Sequence, residues 1–68
     1  MENILKNNTY QIILPSSSLM AKPNDFSTLE TECLYGESIK VLNHHEDWIK
    51  CQLLTDNYIG WLKKNSIG

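Results

Sequence analysis

The residues of this chain that could do chemistry are two cysteines and a polar loop that carries two histidines. Cys33 and Cys51 stand apart in strand-like segments, and neither has the helix N-terminus or histidine partner that activates a thiolate. His44 and His45 are adjacent, so in an extended stretch their side chains diverge and do not chelate one metal ion. We therefore expect no catalytic residue, no metal site and no cofactor. Both cysteines are interpreted as buried apolar residues, with a disulfide between them as the alternative.

Three large aromatic residues are candidates for binding rather than for catalysis. Trp48, Tyr58 and Trp61 each combine a wide apolar ring with a polar atom, which suits a platform for a peptide or a glycan. The same rings could dock a neighbouring domain or simply cover the ends of a small barrel. For Trp61 we favour docking or packing.

The size and charge of the chain exclude several classes of function. Its 68 residues allow one small domain, so a binding site must be a surface groove or be completed by another domain. The net charge of −2 and the scattered lysines argue against nucleic acid as a partner. The apolar run at 12–14 is ended by Pro15 and is too short for a signal peptide or a membrane span. We expect a cytoplasmic domain, monomeric in isolation, with no membrane partner.

Short alternating apolar segments between turn residues predict an all-β domain at 9–68, after a flexible N-terminal lead at 1–8. Residues 16–18, three serines, are predicted to be a turn or crossover, and 43–47 a polar hairpin connection. Gly36 is expected to supply a positive φ or a tight bend. The predicted strands are 10–14, 19–22, 29–34, 38–42, 48–53 and 58–62.

The strand pattern favours a small SH3-like barrel of five to six short strands, because closing a barrel removes unpaired sheet edges. On the fifth predicted strand Ile49, Cys51 and Leu53 share the core face. Residues 63–67 are predicted to form a short closing turn, with Ile67 plugging the barrel.

With these residues in view, the chain over 10–68 resembles the bacterial SH3 (SH3b) family. Within that family it is similar to the branch that precedes the catalytic domain of NlpC-type cysteine peptidases, the γ-D-glutamyl-L-diamino acid endopeptidases, or dipeptidyl-peptidase VI. It departs from the pattern at Cys51, where a larger aliphatic residue is usual, and at 20–22, where an Arg-containing version is more frequent. The matching residues are Leu14-Pro15, Ser18-Leu19, Ala21-Lys22-Pro23, Leu29-Glu30-Thr31, Leu34-Tyr35-Gly36-Glu37, Asp47-Trp48, Asp56 and Tyr58-Ile59-Gly60-Trp61.

The resemblance implies a module without catalytic activity that recognises or positions substrate for a cell-wall peptide (murein) endopeptidase, whose catalytic domain lies elsewhere in the parent chain. The ligand it implies is a murein peptide with a free N-terminal L-Ala. A cationic amine in a partly dehydrated groove needs a carboxylate partner, and Glu37 is the first candidate, with Tyr35 beside it. The alternative is that Glu37 is a solvated acid and Tyr35 a packing residue.

A second function stays open, namely a free-standing SH3-like interaction module that binds extended or proline-rich peptides. That mode needs an aromatic groove with acidic residues. The chain has both, but it lacks the Ala-Leu-Tyr-Asp-Tyr stretch of eukaryotic SH3 domains.

Overall fold

The computed structural model describes residues 8–68, so the predicted lead at 1–8 lies outside the described residues except for Asn8. Six antiparallel strands form one sheet in the order β1-β4-β5-β6-β2-β3. Over this described range no helix has the length and apolar character to span a membrane. The strands are β1 Thr9–Gln11, β2 Ser16–Met20, β3 Leu29–Leu34, β4 Ser38–His45, β5 Trp48–Leu53 and β6 Ile59–Lys63, followed by a 3-10 helix at Lys64–Ser66.

The architecture confirms the predicted all-β, SH3-like class, and two strands have the predicted bounds. β3 and β5 begin and end where the apolar alternation does. Along β5, Ile49, Cys51 and Leu53 are buried, because alternate side chains of a strand point to the same face. They join a single core with Ile12, Leu19, Cys33, Ile39 and Leu62.

The prediction that residues 16–18 form a turn is wrong. Ser16, Ser17 and Ser18 lie in β2, where they pair with Leu34, Cys33 and Glu32 of β3. Serine is common in turns because its hydroxyl competes for backbone groups, but pairing with a neighbouring strand overrides that local preference. Ser17 consequently points toward the core and is 8% exposed.

Two turns have backbone geometry that fixes the strand register. Gly36 has φ of 88°, as predicted, and it ends β3. The connection between β4 and β5 is shorter than predicted, since β4 continues to His45 and only Glu46 and Asp47 form the turn. Glu46 has φ of 53°, in the left-handed region that two-residue hairpin turns use.

The end of the described chain closes the sheet against β1. Ile67 bridges Ile12, and the backbones of Gln11 and Gly68 exchange hydrogen bonds of 3.2 and 3.0 Å. Ile67 packs on the core, which confirms the predicted closing turn and plug.

One junction between strands is much weaker than the others. β2 pairs with β6 only at Met20 and Trp61, although β2 pairs with β3 along its whole length. Gly60 lies beside this single pair, and a Cβ at that position would stand 2.7 Å from the Met20 carbonyl oxygen. Beyond Trp61 the two strands diverge, which leaves a groove between them.

Candidate functional site

The bend that carries Tyr35 and Glu37 is held by the segment between β1 and β2. The Gly36 amide donates to the Ile12 carbonyl at 2.8 Å, and the Ile12 amide donates to the Glu37 carbonyl at 2.9 Å. The Tyr35 amide donates to the Pro15 carbonyl at 3.3 Å. The backbone of both candidate side chains is therefore fixed before any ligand arrives.

The two side chains on this bend have opposite surroundings. Tyr35 is 72% exposed, so its ring and hydroxyl lie in solvent. Glu37 is half-buried, and its Oε1 is shielded from solvent without a hydrogen-bond partner among the described residues. A shielded carboxylate oxygen without a partner is unfavourable. A nearby cation therefore stabilises the Glu37 carboxylate more than it would stabilise a fully solvated acid.

The structure places two of the three candidate aromatic side chains on one face and the third elsewhere. Trp48 pairs with Lys63 and Trp61 pairs with Lys50, so both indoles lie on the face opposite to the core, half-buried. Tyr58 lies at the other end of β5, where its carbonyl accepts from the Leu53 amide at 2.8 Å. From Trp48 to that end of β5 the strand rises by five residue steps, about 17 Å. The three rings therefore do not form one continuous platform.

The divergence of β2 and β6 opens a groove of about 370 Å³, which we call the β2 groove. This volume falls within the range of small-ligand sites. Trp48 is the aromatic residue that lines it, whereas Tyr35 and Glu37 do not line it. Other lining residues are Leu14, Ser16, Ser17, Ser18, Met20, Asp25, Lys63, Asn65 and Ser66.

Lys63 makes two polar contacts at the β2 groove. The Lys63 ammonium lies 5.5 Å from the centroid of the Trp48 ring, within the range of a cation–π contact. It also approaches the Asp25 carboxylate at 3.2 Å, across the mouth of the groove. On the core face of β2, the Ser17 Oγ is buried with no hydrogen-bond partner in the described part of the chain.

The thiols and the histidine loop do not add a reactive centre. Burial raises the pKa of Cys51 to about 12, with a further contribution from Cys33. Burial, followed by the charges of Glu37 and Glu32, raises the pKa of Cys33 to about 11. Both cysteines are free and buried, as predicted, so the alternative of a disulfide is wrong. Within residues 8–68 no three His, Cys, Asp or Glu side chains gather in a way that could hold a metal ion.

The fold and the groove define a small SH3-like barrel with a groove on its surface. The model of one family, described as the bacterial dipeptidyl-peptidase SH3 domain, matches residues 19–67, from the end of β2 to the residue after the 3-10 helix. The chain belongs to this family. The family description links it to bacterial dipeptidyl-peptidases, so it is a peptidase-associated bacterial SH3 module. A search of curated proteins finds no match for the chain.

Sequence reasoning placed Trp48 on a possible groove or docking surface but did not find the residues that line the β2 groove with it. Ser17 was assigned to a turn, and Lys63 and Asp25 were not singled out, because they come from the ends of two distant segments. Residues 16–20 show no apolar alternation, so only their pairing with 29–34 places the serines in a strand.

Proposed function

We propose that this module recognises the free N-terminal amine of short murein peptides for a cysteine endopeptidase of the NlpC type encoded in the same parent chain. The observation that carries the proposal is the shielded, unpartnered Oε1 of Glu37 on a bend fixed by backbone hydrogen bonds. An ammonium group at the exposed part of this half-buried carboxylate compensates for the shielding of Oε1 and offsets its own desolvation.

Tyr35 complements this role. Its ring is exposed immediately before Gly36, so it can cover the apolar side of a small N-terminal residue such as L-Ala while Glu37 binds the amine. The positive φ of Gly36 sets the relative direction of these two neighbours. The domain would act by holding the peptide, and a separate catalytic domain would supply the cysteine chemistry.

The alternative of a proline-binding module has less support from the geometry. Proline recognition uses several aromatic rings along one groove, but Trp48 is the aromatic residue of the β2 groove and Lys63 covers its face.

The test is an NMR titration of the labelled chain with L-Ala-γ-D-Glu-diaminopimelate and with its N-acetylated form. We expect saturable amide shifts at Tyr35–Glu37 for the free amine, and affinity at least about tenfold lower for Glu37→Gln, because a charge-assisted hydrogen bond contributes about 1.5–3 kcal/mol. Glu30→Gln, an exposed acid on β3, is the matched control and should bind as the unmodified chain does. Equal shifts at the bend with acetylated and free peptides would contradict the proposal.

A further inference from the structure

The edge of β2 that faces the groove is open. Ser16–Leu19 pair with β3 on one side, and on the other side β2 meets β6 only at Met20. In an antiparallel ladder alternate residues direct their N–H and C=O groups to the same neighbour. Half of the backbone groups along this stretch therefore point away from β3, into the β2 groove, where among residues 8–68 no strand pairs with them.

The groove offers a cation to a ligand. The Lys63 ammonium lies over the Trp48 ring, whereas the Ser17 Oγ is enclosed on the core face of β2 and is not available to a ligand. An ammonium group carries three donors, which favours a ligand group with several acceptor atoms, and a carboxylate is the commonest such group on a peptide.

Asp25 acts as an exchangeable partner for Lys63. Their side chains are 66% and 51% exposed, and an ion pair at such a solvated position is weak. Asp25 comes from the loop between β2 and β3, and among the described residues Lys63 is its ion-pair partner. A ligand carboxylate can replace Asp25 at Lys63 at small cost, whereas Lys63 stays positioned by the Trp48 ring.

From these observations we propose that the β2 groove binds a short extended peptide, whose backbone pairs with the open edge of β2 and whose free carboxylate is held by Lys63. This site is separate from the Tyr35–Glu37 bend and does not depend on the amine-binding role of Glu37. The segment from Ile12 to Pro15 contacts the bend, and β2 follows it directly, so one peptide of suitable length could reach both sites.

The probe is N-acetyl-L-Ala-L-Ala-L-Ala, titrated as the free acid and as the C-terminal amide into the labelled 68-residue chain. Acetylation removes the amine, so this ligand cannot report on Glu37. We expect saturable shifts at Ser16–Ser18 and at the Trp48 indole N–H for the acid, and affinity at least about tenfold lower for the amide. Acetate alone should bind at least about tenfold more weakly than the tripeptide acid, because it lacks a backbone to pair with β2.

Three variants test the individual contacts. Lys63→Gln should weaken binding of the acid about tenfold or more, and Lys40→Gln, which removes the same charge from β4, should leave it unchanged. Asp25→Asn should strengthen binding, by up to about fivefold, because it removes the competitor for Lys63. If Asp25 had a purely structural role, its replacement would not increase the affinity for the peptide acid.

The proposal is overturned if acid and amide bind equally, if the shifts lie away from β2, or if no shifts occur. Absence of shifts would mean that the groove does not bind a peptide with a free carboxylate. None of these outcomes decides the role of Glu37, which the free-amine titration tests separately.

Discussion

Gly60 offers the sharpest test of how β2 and β6 are joined. A Cβ built on Gly60 would lie 2.7 Å from the Met20 carbonyl oxygen and 2.8 Å from Leu19 Cγ. Ordinary contact begins at 3.4 Å, so Gly60→Ala forces the strands apart by 0.7 Å (3.4 minus 2.7) unless the backbone rearranges. The displaced carbonyl belongs to the one residue of β2 that pairs with β6.

The expected cost follows from overpacking at a point where backbone meets backbone. Overpacked sites lose about 1–3 kcal/mol, and a carbonyl cannot rotate away as the end of a side chain can. Replacing glycine also lowers the conformational entropy of the unfolded chain, which raises the free energy of unfolding by about 0.4–1 kcal/mol. We expect Gly60→Ala to lower the free energy of unfolding by about 2 kcal/mol, a large part of what so small a domain possesses.

The matched control is Gly36→Ala. Gly36 has φ of 88° and open space around its missing Cβ, so alanine there meets backbone strain without a clash. We expect a net loss of about 1 kcal/mol at this position. Urea unfolding followed by Trp48 and Trp61 fluorescence measures both. With a slope near 1 kcal/mol/M, the midpoint should fall by about 2 M for Gly60→Ala and about 1 M for Gly36→Ala. A midpoint for Gly60→Ala equal to or above that of Gly36→Ala would refute the reasoning.

Three further results are expected. Leu62→Ala should destabilise the domain by about 2–5 kcal/mol in urea unfolding, because Leu62 is fully buried, whereas Ile59→Ala on the same strand, with 49% exposure, should cost much less. Ser17→Ala should leave stability unchanged or raise it, because the lost hydroxyl has no partner in the described chain; a loss above about 1 kcal/mol would contradict this. Because burial raises the pKa values of Cys33 and Cys51 to about 11 and 12, unfolded thiols ionise from about pH 9 while folded thiols stay protonated. Urea midpoints should therefore fall as the pH rises from 9 toward 11, by up to about 1.4 kcal/mol per pH unit for each thiol, and a variant with both cysteines replaced by alanine should lose this component.

The strands that could be predicted from the sequence are those whose burial alternates. Along β5 every second side chain is buried, so the period alone gives its bounds and its core face. The bounds of the first strand were harder to predict, because β1 has only exposed residues and ends at Gln11, while Ile12 is buried beyond it. The prediction for β2 was wrong at Ser16–Ser18, because the residue types favour a turn and only the pairing with β3 makes them a strand.

The candidate site shows the same division between local and long-range information. The positive φ at Gly36 was predictable, because glycine and the broken alternation occur together in the sequence. The shielding of the Glu37 Oε1 depends on what packs over the bend, and nothing in the local sequence encodes it. The β2 groove depends on the divergence of β2 from β6, two strands whose closest pair is 41 positions apart (61 minus 20).

The single pair between β2 and β6 also bears on the order in which the domain folds. β4, β5 and β6 follow one another in the chain as neighbouring hairpins, so they can form by closing short loops. The hairpin of β2 and β3 is likewise local, but joining it to β6 requires closure of a long loop for one paired residue. We therefore expect the two units to form early and to dock late. The junction at Met20 and Trp61 should be the last part of the sheet to form during folding and the first to separate when the domain opens transiently.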